Sequence, residues 1–180
     1  MPKKIGIIVG SQRKGSYTRS IAEVFLHLLP IAYEAKIIDI SQLPIYNQDY
    51  DDIGPLPSSY INFRHEVEAC DAFIFATPEH NRSYTALIKN AIDVASRPYG
   101  ENKWGGKPGA VVSVSPGSLG GFGANHHLRQ VLTFIDIQTV QQPEAYIGNV
   151  INLLDDDGKL KNESTRELLK KLLDTLIAKI

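Results

Sequence analysis

The chain has little that would point to an unusual environment. A single cysteine, Cys70, excludes an intrachain disulfide and a cysteine-rich metal site, and it fits a reducing cytoplasm. Charge of one sign is also missing: 19 Lys and Arg against 20 Asp and Glu give a formal net charge of -1. Nucleic-acid binders usually carry a basic surplus, so that class loses weight. No apolar run is long enough for a membrane span. The run that begins at Ile5 is stopped by Ser11, Gln12 and Arg13, too soon for a signal core, and no targeting segment is expected. Repeats and low-complexity tracts are absent. What remains is an ordinary globular composition, 43% hydrophobic and 22% charged over 180 residues, which predicts one domain spanning 1–180.

Three nearly unbroken apolar runs, at 5–9, 71–77 and 109–115, each end in Gly, Ser, Thr or Pro. Runs without alternation predict strands buried on both faces. Helical periods follow each of them: Ile21, Val24, Phe25 and Leu28; then Leu87, Ile88, Ala91, Ile92 and Ala95; then Leu128, Val131, Leu132 and Ile135. Residues 34–40 read as the second strand and 138–147 as the fifth. A closing amphipathic helix is expected over 162–179, with Leu168, Leu169, Leu172, Leu173, Leu176 and Ile177 inward. Alternating strand and helix predict an α/β fold: a doubly wound, five-stranded parallel sheet of order 2-1-3-4-5 with helices on both faces. Segment 41–60, with Pro44, Pro55, Pro57 and the acidic cluster Asp49, Asp51 and Asp52, has no clear period. It reads as a long connection, either a wall of a ligand site or an exposed loop. The Asp155-Asp156-Asp157-Gly158 turn lacks the later ligands of a calcium loop and reads as a solvated turn.

In such a sheet, ligands bind at the carboxyl ends of the strands where the strand order reverses. The loop after the first strand, Gly10-Ser11-Gln12-Arg13-Lys14-Gly15-Ser16-Tyr17-Thr18, has the composition of an anion cradle. Ser11, Ser16 and Thr18 supply hydroxyls, Arg13 a planar charged fork, and the helix start unpaired N–H groups. Its two glycines match neither the dinucleotide fingerprint nor the Walker spacing, while its hydroxyl density suits a phosphate monoester. Ser16 or Thr18 is also a natural helix cap. The loop after the third strand, Thr77-Pro78-Glu79-His80-Asn81-Arg82-Ser83-Tyr84, offers backbone from Glu79 to Asn81 to the edge of a flat polar ring. His80 beside Glu79 is also a candidate general acid; as a metal site it lacks further ligands at suitable spacing. After the fourth strand, Ser115-Pro116-Gly117-Ser118-Leu119-Gly120-Gly121-Phe122-Gly123 is rich in glycine, either to let backbone approach a planar ligand or as a plain flexible loop.

These blocks, with Lys89-Asn90-Ala91-Ile92-Asp93, Ser96-Arg97-Pro98, Gly106-Lys107-Pro108, His127-Leu128-Arg129-Gln130 and Gln142-Pro143-Glu144, resemble the NAD(P)H-dependent FMN reductase family, a flavodoxin-like group. The likeness is greatest to its chromate- and quinone-reducing branch and covers most of 5–150 in order and spacing. The resemblance implies FMN as cofactor and NADPH or NADH as electron donor. By the same resemblance, Ser11, Arg13, Ser16, Tyr17 and Thr18 hold the FMN phosphate. Pro78, Glu79, His80 and Asn81 contact the isoalloxazine through backbone, and Ser115, Gly117, Gly120 and Gly121 line its other edge. Family members commonly have Tyr where this chain has His80, and a proline near Thr85-Ala86; these departures bear on ring stacking and acceptor preference. Because FMN carries the hydride chemistry, no catalytic side chain is required. The acceptors implied are quinones, azo compounds, flavins or metal oxyanions such as chromate. A homodimer or homotetramer is also implied, with the helix around 86–97 near the flavin-side interface and Arg129, Glu144 and Tyr146 at further contacts. Arg82 and Arg97 are candidates for a 2'-phosphate of NADPH. Three other readings stay open: a non-enzymatic FMN-binding electron carrier, for which a charge of -1 is unusually low; a classical NAD dehydrogenase, which lacks its glycine spacing; and a regulatory module without FMN.

Overall fold

The computed structural model describes residues 2–180. Three central strands are β1 (Lys3–Val9), β3 (Ala72–Pro78) and β4 (Pro108–Val114). β2 (Tyr33–Ile38) pairs with the outer side of β1, and all pairings are parallel, in the order β2-β1-β3-β4. The fifth position differs from expectation. In place of one strand over 138–147, two short strands, β5 (Gln138–Thr139) and β6 (Ala145–Ile147), both pair with β4. Pro143 lies between them, and a proline has no N–H to donate to the ladder, so the strand is interrupted there. The order 2-1-3-4-5 is unchanged.

The central strands read as continuous apolar runs because each side of the sheet is covered. On one side Ile5, Ile7, Ala72, Ile74, Ala76, Ala110 and Val112 pack against α1 (Tyr17–Leu28) and α7 (Glu163–Ile177). On the other, Ile8, Phe73, Phe75 and Val111 meet α3 (Ser58–Glu68), α4 (Ala86–Ala95) and α5 (Phe122–Phe134). Trp104 fills the space between them; its ring meets Phe73 edge-on at 4.7 Å and its N–H donates to the Ile92 carbonyl at 3.1 Å. β2 alternates between half-buried and exposed residues until the buried Ile38, as an edge strand does.

Segment 41–60 is more ordered than its composition predicts. It holds α2 (Asp49–Asp52) and the start of α3. Asp51 leaves the acidic cluster to grip Arg64 of α3 through two oxygens, at 2.6 and 2.8 Å, and both side chains are over nine-tenths buried. Asn90 of α4 accepts from the Tyr46 N–H and donates to the carbonyls of Leu43 and Pro44. These bonds tie the segment to α3 and α4. The 155–158 segment is a turn in which the Asp155 carboxylate accepts the N–H groups of Asp157 and Lys159. α6 (Val150–Leu153) follows β6. Among the described residues, no helix is long and apolar enough to cross a membrane.

Candidate functional site

Register brings three loops to one edge. Val9 pairs with Ala76, the Gly10 N–H donates to the Ala76 carbonyl at 2.8 Å, and Pro78 pairs with Val114. The loops after β1, β3 and β4 therefore leave the sheet side by side. Between them lies a cavity of about 760 Å³, within the usual size for a small-ligand site.

One wall is the loop after β1: Ser11, Gln12, Arg13, Ser16, Tyr17 and Thr18. Ser16 caps α1, its oxygen accepting the Arg19 N–H at 3.2 Å. That bond uses a lone pair and leaves the hydroxyl proton free to donate elsewhere. Arg13 folds back over the loop, donating to the Gly15 carbonyl at 3.0 Å and lying 4.9 Å from the centre of the Tyr17 ring. A guanidinium has five N–H donors, and one bond leaves the fork able to take an anion. Hydroxyls, a guanidinium and a helix start gathered on one wall are the donors a terminal phosphate requires, so the residues present fit the mononucleotide that the sequence resemblance implies.

The opposite wall is Pro78, Glu79 and His80, with Thr85, Ala86 and Leu87 at the start of α4. Residues 80–83 form a tight reversal: the His80 N–H donates to the Ser83 carbonyl at 2.9 Å and the Ser83 N–H returns the bond at 3.0 Å. Its central residues, Asn81 and Arg82, have φ of +50° and +64°, a conformation that is uncommon outside glycine and costly for arginine. Thr85 caps α4, its side-chain oxygen accepting the Ile88 N–H at 3.4 Å. The Glu79 carboxylate is engaged in the protein. One oxygen accepts the Ala124 N–H at 3.0 Å and the other meets Arg82 at 3.0 Å, so this side chain is not poised as a free acid. Arg97 donates to the Ser96 carbonyl at 3.4 Å, and neither it nor Arg82 lines the cavity.

From the third loop, Ser115 and Pro116 line the cavity; Gly117, Gly120 and Gly121 do not, and neither does Asn81 of the second loop. The structure gives these glycines another task. A Cβ on Gly120 would come within 2.6 Å of the Tyr146 backbone and 2.9 Å of the Gly148 nitrogen. The Asn149 N–H donates to the Gly117 carbonyl, and Ser115 exchanges bonds with Ile147 and Val150. The loop is thus packed backbone to backbone on the β6–α6 turn. Segment 41–60 contributes nothing to the cavity lining. Sequence reasoning missed Ile151 of α6, Gln12, Leu87 and Val114 as lining residues. Ile151 stands 55% exposed at this edge, and a four-residue helix has no periodic signal by which to find it.

On α5, beyond the third loop, Phe122 packs on His126 at 4.3 Å and on Tyr146 at 5.3 Å, and His126 shares a hydrogen bond with the Tyr146 hydroxyl at 2.8 Å. Burial, then the neighbouring Glu144 carboxylate, pushes the Tyr146 hydroxyl up to about 12, so it stays protonated at neutral pH.

Residues 3–152 match the family described as NADPH-dependent FMN reductase. A quinone reductase of Pseudomonas putida is 51% identical over 170 residues, covering 94% of this chain and 90% of that protein. A 2-hydroxy-1,4-benzoquinone reductase of a Burkholderia species is 38% identical over 178 residues, covering 99% and 96%. Among solved structures, FerB, a flavoenzyme NAD(P)H:(acceptor) oxidoreductase from Paracoccus denitrificans, superposes with a TM-score of 0.89 at 36% identity, covering 98% of this chain and 96% of that one. With the match running from β1 through the turn after β6, and so through all three cavity loops, the chain belongs to the NADPH-dependent FMN reductase family.

Proposed function

We propose that the chain holds FMN in the 760 Å³ cavity and reduces quinones with electrons from NADPH or NADH. The observation that carries this reading is the placement of an anion-binding loop opposite a polar turn at the switch point of the sheet, in a chain of this family. When bound, FMN supplies hydride acceptance and onward electron transfer. The protein's part is to bind and orient. Ser11, Arg13, Ser16, Tyr17 and Thr18 take the phosphate, the backbone of Pro78, Glu79 and His80 edges the ring with Asn81 shaping the turn behind it, and Ser115 closes the other side. Gly117, Gly120 and Gly121 hold the third loop to the β6–α6 turn. We favour quinones over chromate, azo compounds or free flavin as acceptors because two of the three quoted relatives, those of Pseudomonas putida and Burkholderia, are named for quinone reduction.

We also read the protein as a cytoplasmic homodimer or homotetramer. Support for the compartment is the lone Cys70, buried and donating to the Glu66 carbonyl. Support for association is the half-exposed Phe122, set in an aromatic cluster with His126 and Tyr146.

The experiment is anaerobic stopped-flow spectroscopy on the purified, FMN-loaded protein. NADPH or NADH is expected to bleach the flavin bands, and a benzoquinone to restore them with turnover. A flavin that neither nicotinamide bleaches ends the reductase reading.

A further inference from the structure

We propose that the Glu79 carboxylate is a positioning group: it clamps the 79–83 turn onto the start of α5 and so fixes the backbone that faces the flavin. The inference rests on the proposed FMN site and adds to it an element that no side chain touching the ligand would reveal.

Three observations carry it. First, α5 starts without a side-chain cap, because its N-cap residue is Gly121 at φ +75°. The four leading N–H groups of a helix need partners, and an acceptor there also meets the positive end of the helix dipole. Glu79, 45 residues away in sequence, supplies that acceptor to Ala124 at 3.0 Å. Second, the Glu79 side chain is only 14% exposed, so its charge must be compensated within the protein. The Arg82 partner is 75% exposed, and such pairs are weak, which leaves the helix N–H as the main compensation. Third, the contact is close. A Cβ on Gly123 would lie 3.1 Å from a Glu79 oxygen and 3.2 Å from the Arg82 carbonyl, so α5 carries glycine where the turn rests on it.

The turn itself is under strain, with Arg82 at φ +64°, and needs an outside hold to persist. Ser83 adds a second tie, its hydroxyl 2.9 Å from His127 Nδ1 one turn further along α5. The result is a strap fastened at both ends to one helix, with the backbone at His80 between the fastenings.

The test uses three variants in the full chain, stripped of flavin and titrated with FMN, followed by visible circular dichroism and the midpoint potential of the bound flavin. Thermal unfolding of each apoprotein reports folding. Glu79→Ala is expected to weaken FMN binding about tenfold or more and to displace both the dichroism and the potential. Glu79→Gln keeps an oxygen that can accept the Ala124 N–H, and is expected to restore affinity to within about threefold of the parent. Gly123→Ala favours the helix intrinsically but pushes the Arg82 carbonyl away, so its apoprotein should melt no lower than the parent while binding FMN more weakly. That variant decides the matter if Glu79→Ala fails to fold. Parental affinity and flavin spectra in Glu79→Ala, or in Gly123→Ala where the first does not fold, overturn the inference while leaving the FMN site intact. A Glu79→Gln loss as large as that of Glu79→Ala also overturns it. If the parent protein itself takes up no FMN, the cofactor reading falls and this inference falls with it.

Discussion

Arg13 is exposed, and its side-chain contacts are with its own loop: the Gly15 carbonyl and the Tyr17 ring. A substitution there should therefore separate binding from folding. Arg13→Ala is expected to weaken FMN retention by roughly 10- to 100-fold, the range for losing a charge-assisted bond, while stability changes by no more than about 0.5 kcal/mol. Equilibrium dialysis beside urea unfolding measures both, and full flavin occupancy would remove Arg13 from the phosphate site. Asp71 is the converse case, a residue remote from the cavity that serves the sheet. The Lys4 backbone N–H, at 2.8 Å, and then the Lys3 ammonium hold its carboxyl below the ordinary aspartate range. A carboxyl whose pKa is lower folded than unfolded gives stability that is present above the unfolded value of about 4 and lost as pH falls through the folded one. Asp71→Asn cannot titrate, so its melting temperature should fall less steeply than the parent's between about pH 5 and pH 2. Parallel curves would assign the acid sensitivity to other groups.

At the scale of elements, legibility followed how directly a residue's neighbours are written in its own segment. β1, β3 and β4 were plain because burial on both faces leaves an apolar run, and α1, α4, α5 and α7 because each turns one apolar stripe to the sheet. α3 left little trace, since its buried face includes Arg64, a residue that reads as solvent-facing until its partner Asp51 is brought beside it by the 41–60 fold. The same holds for the site. The phosphate loop could be read from its own composition, whereas the work of Gly120 depends on Tyr146 and that of Glu79 on Ala124, partners distant in sequence. The Asp51–Arg64 pair permits a test of how much that hidden contact contributes. Asp51→Ala leaves a buried guanidinium holding only the Val94 carbonyl and lying 5.4 Å from the Tyr60 ring, and should cost about 3–5 kcal/mol in urea unfolding. Replacing both together, Asp51→Leu with Arg64→Met, removes the stranded charge and should recover most of that loss. A double variant no more stable than Asp51→Ala would mean that the pair sets the local fold rather than merely neutralising itself.

For the whole molecule, the open question is what lies against α5. Its outward residues Phe122 and His126 form a cluster with Tyr146, and Phe122 remains 52% exposed. Arg129, one turn further, gives its Nε to the Asn125 side chain at 2.8 Å and one terminal nitrogen to the Val140 carbonyl at 2.7 Å. Its other terminal nitrogen is buried and unpartnered among the described residues, a costly arrangement for a cation. A half-exposed aromatic cluster beside an arginine has the composition of an interface centre, and a second copy of this chain is the partner proposed above. The substitution Phe122→Asp tests the face without disturbing the fold. The residue opens the first turn of α5, where an added carboxylate is favoured by the helix dipole, so the monomer should keep its melting temperature or gain slightly. At the interface the same carboxylate would remove the aromatic contact and would have to be desolvated. Light scattering on a sizing column should then show the parent as a dimer or tetramer and Phe122→Asp shifted toward the next smaller species. An unshifted assembly would place the contact on another face, and a parent that runs as a monomer would leave the α5 cluster open to solvent.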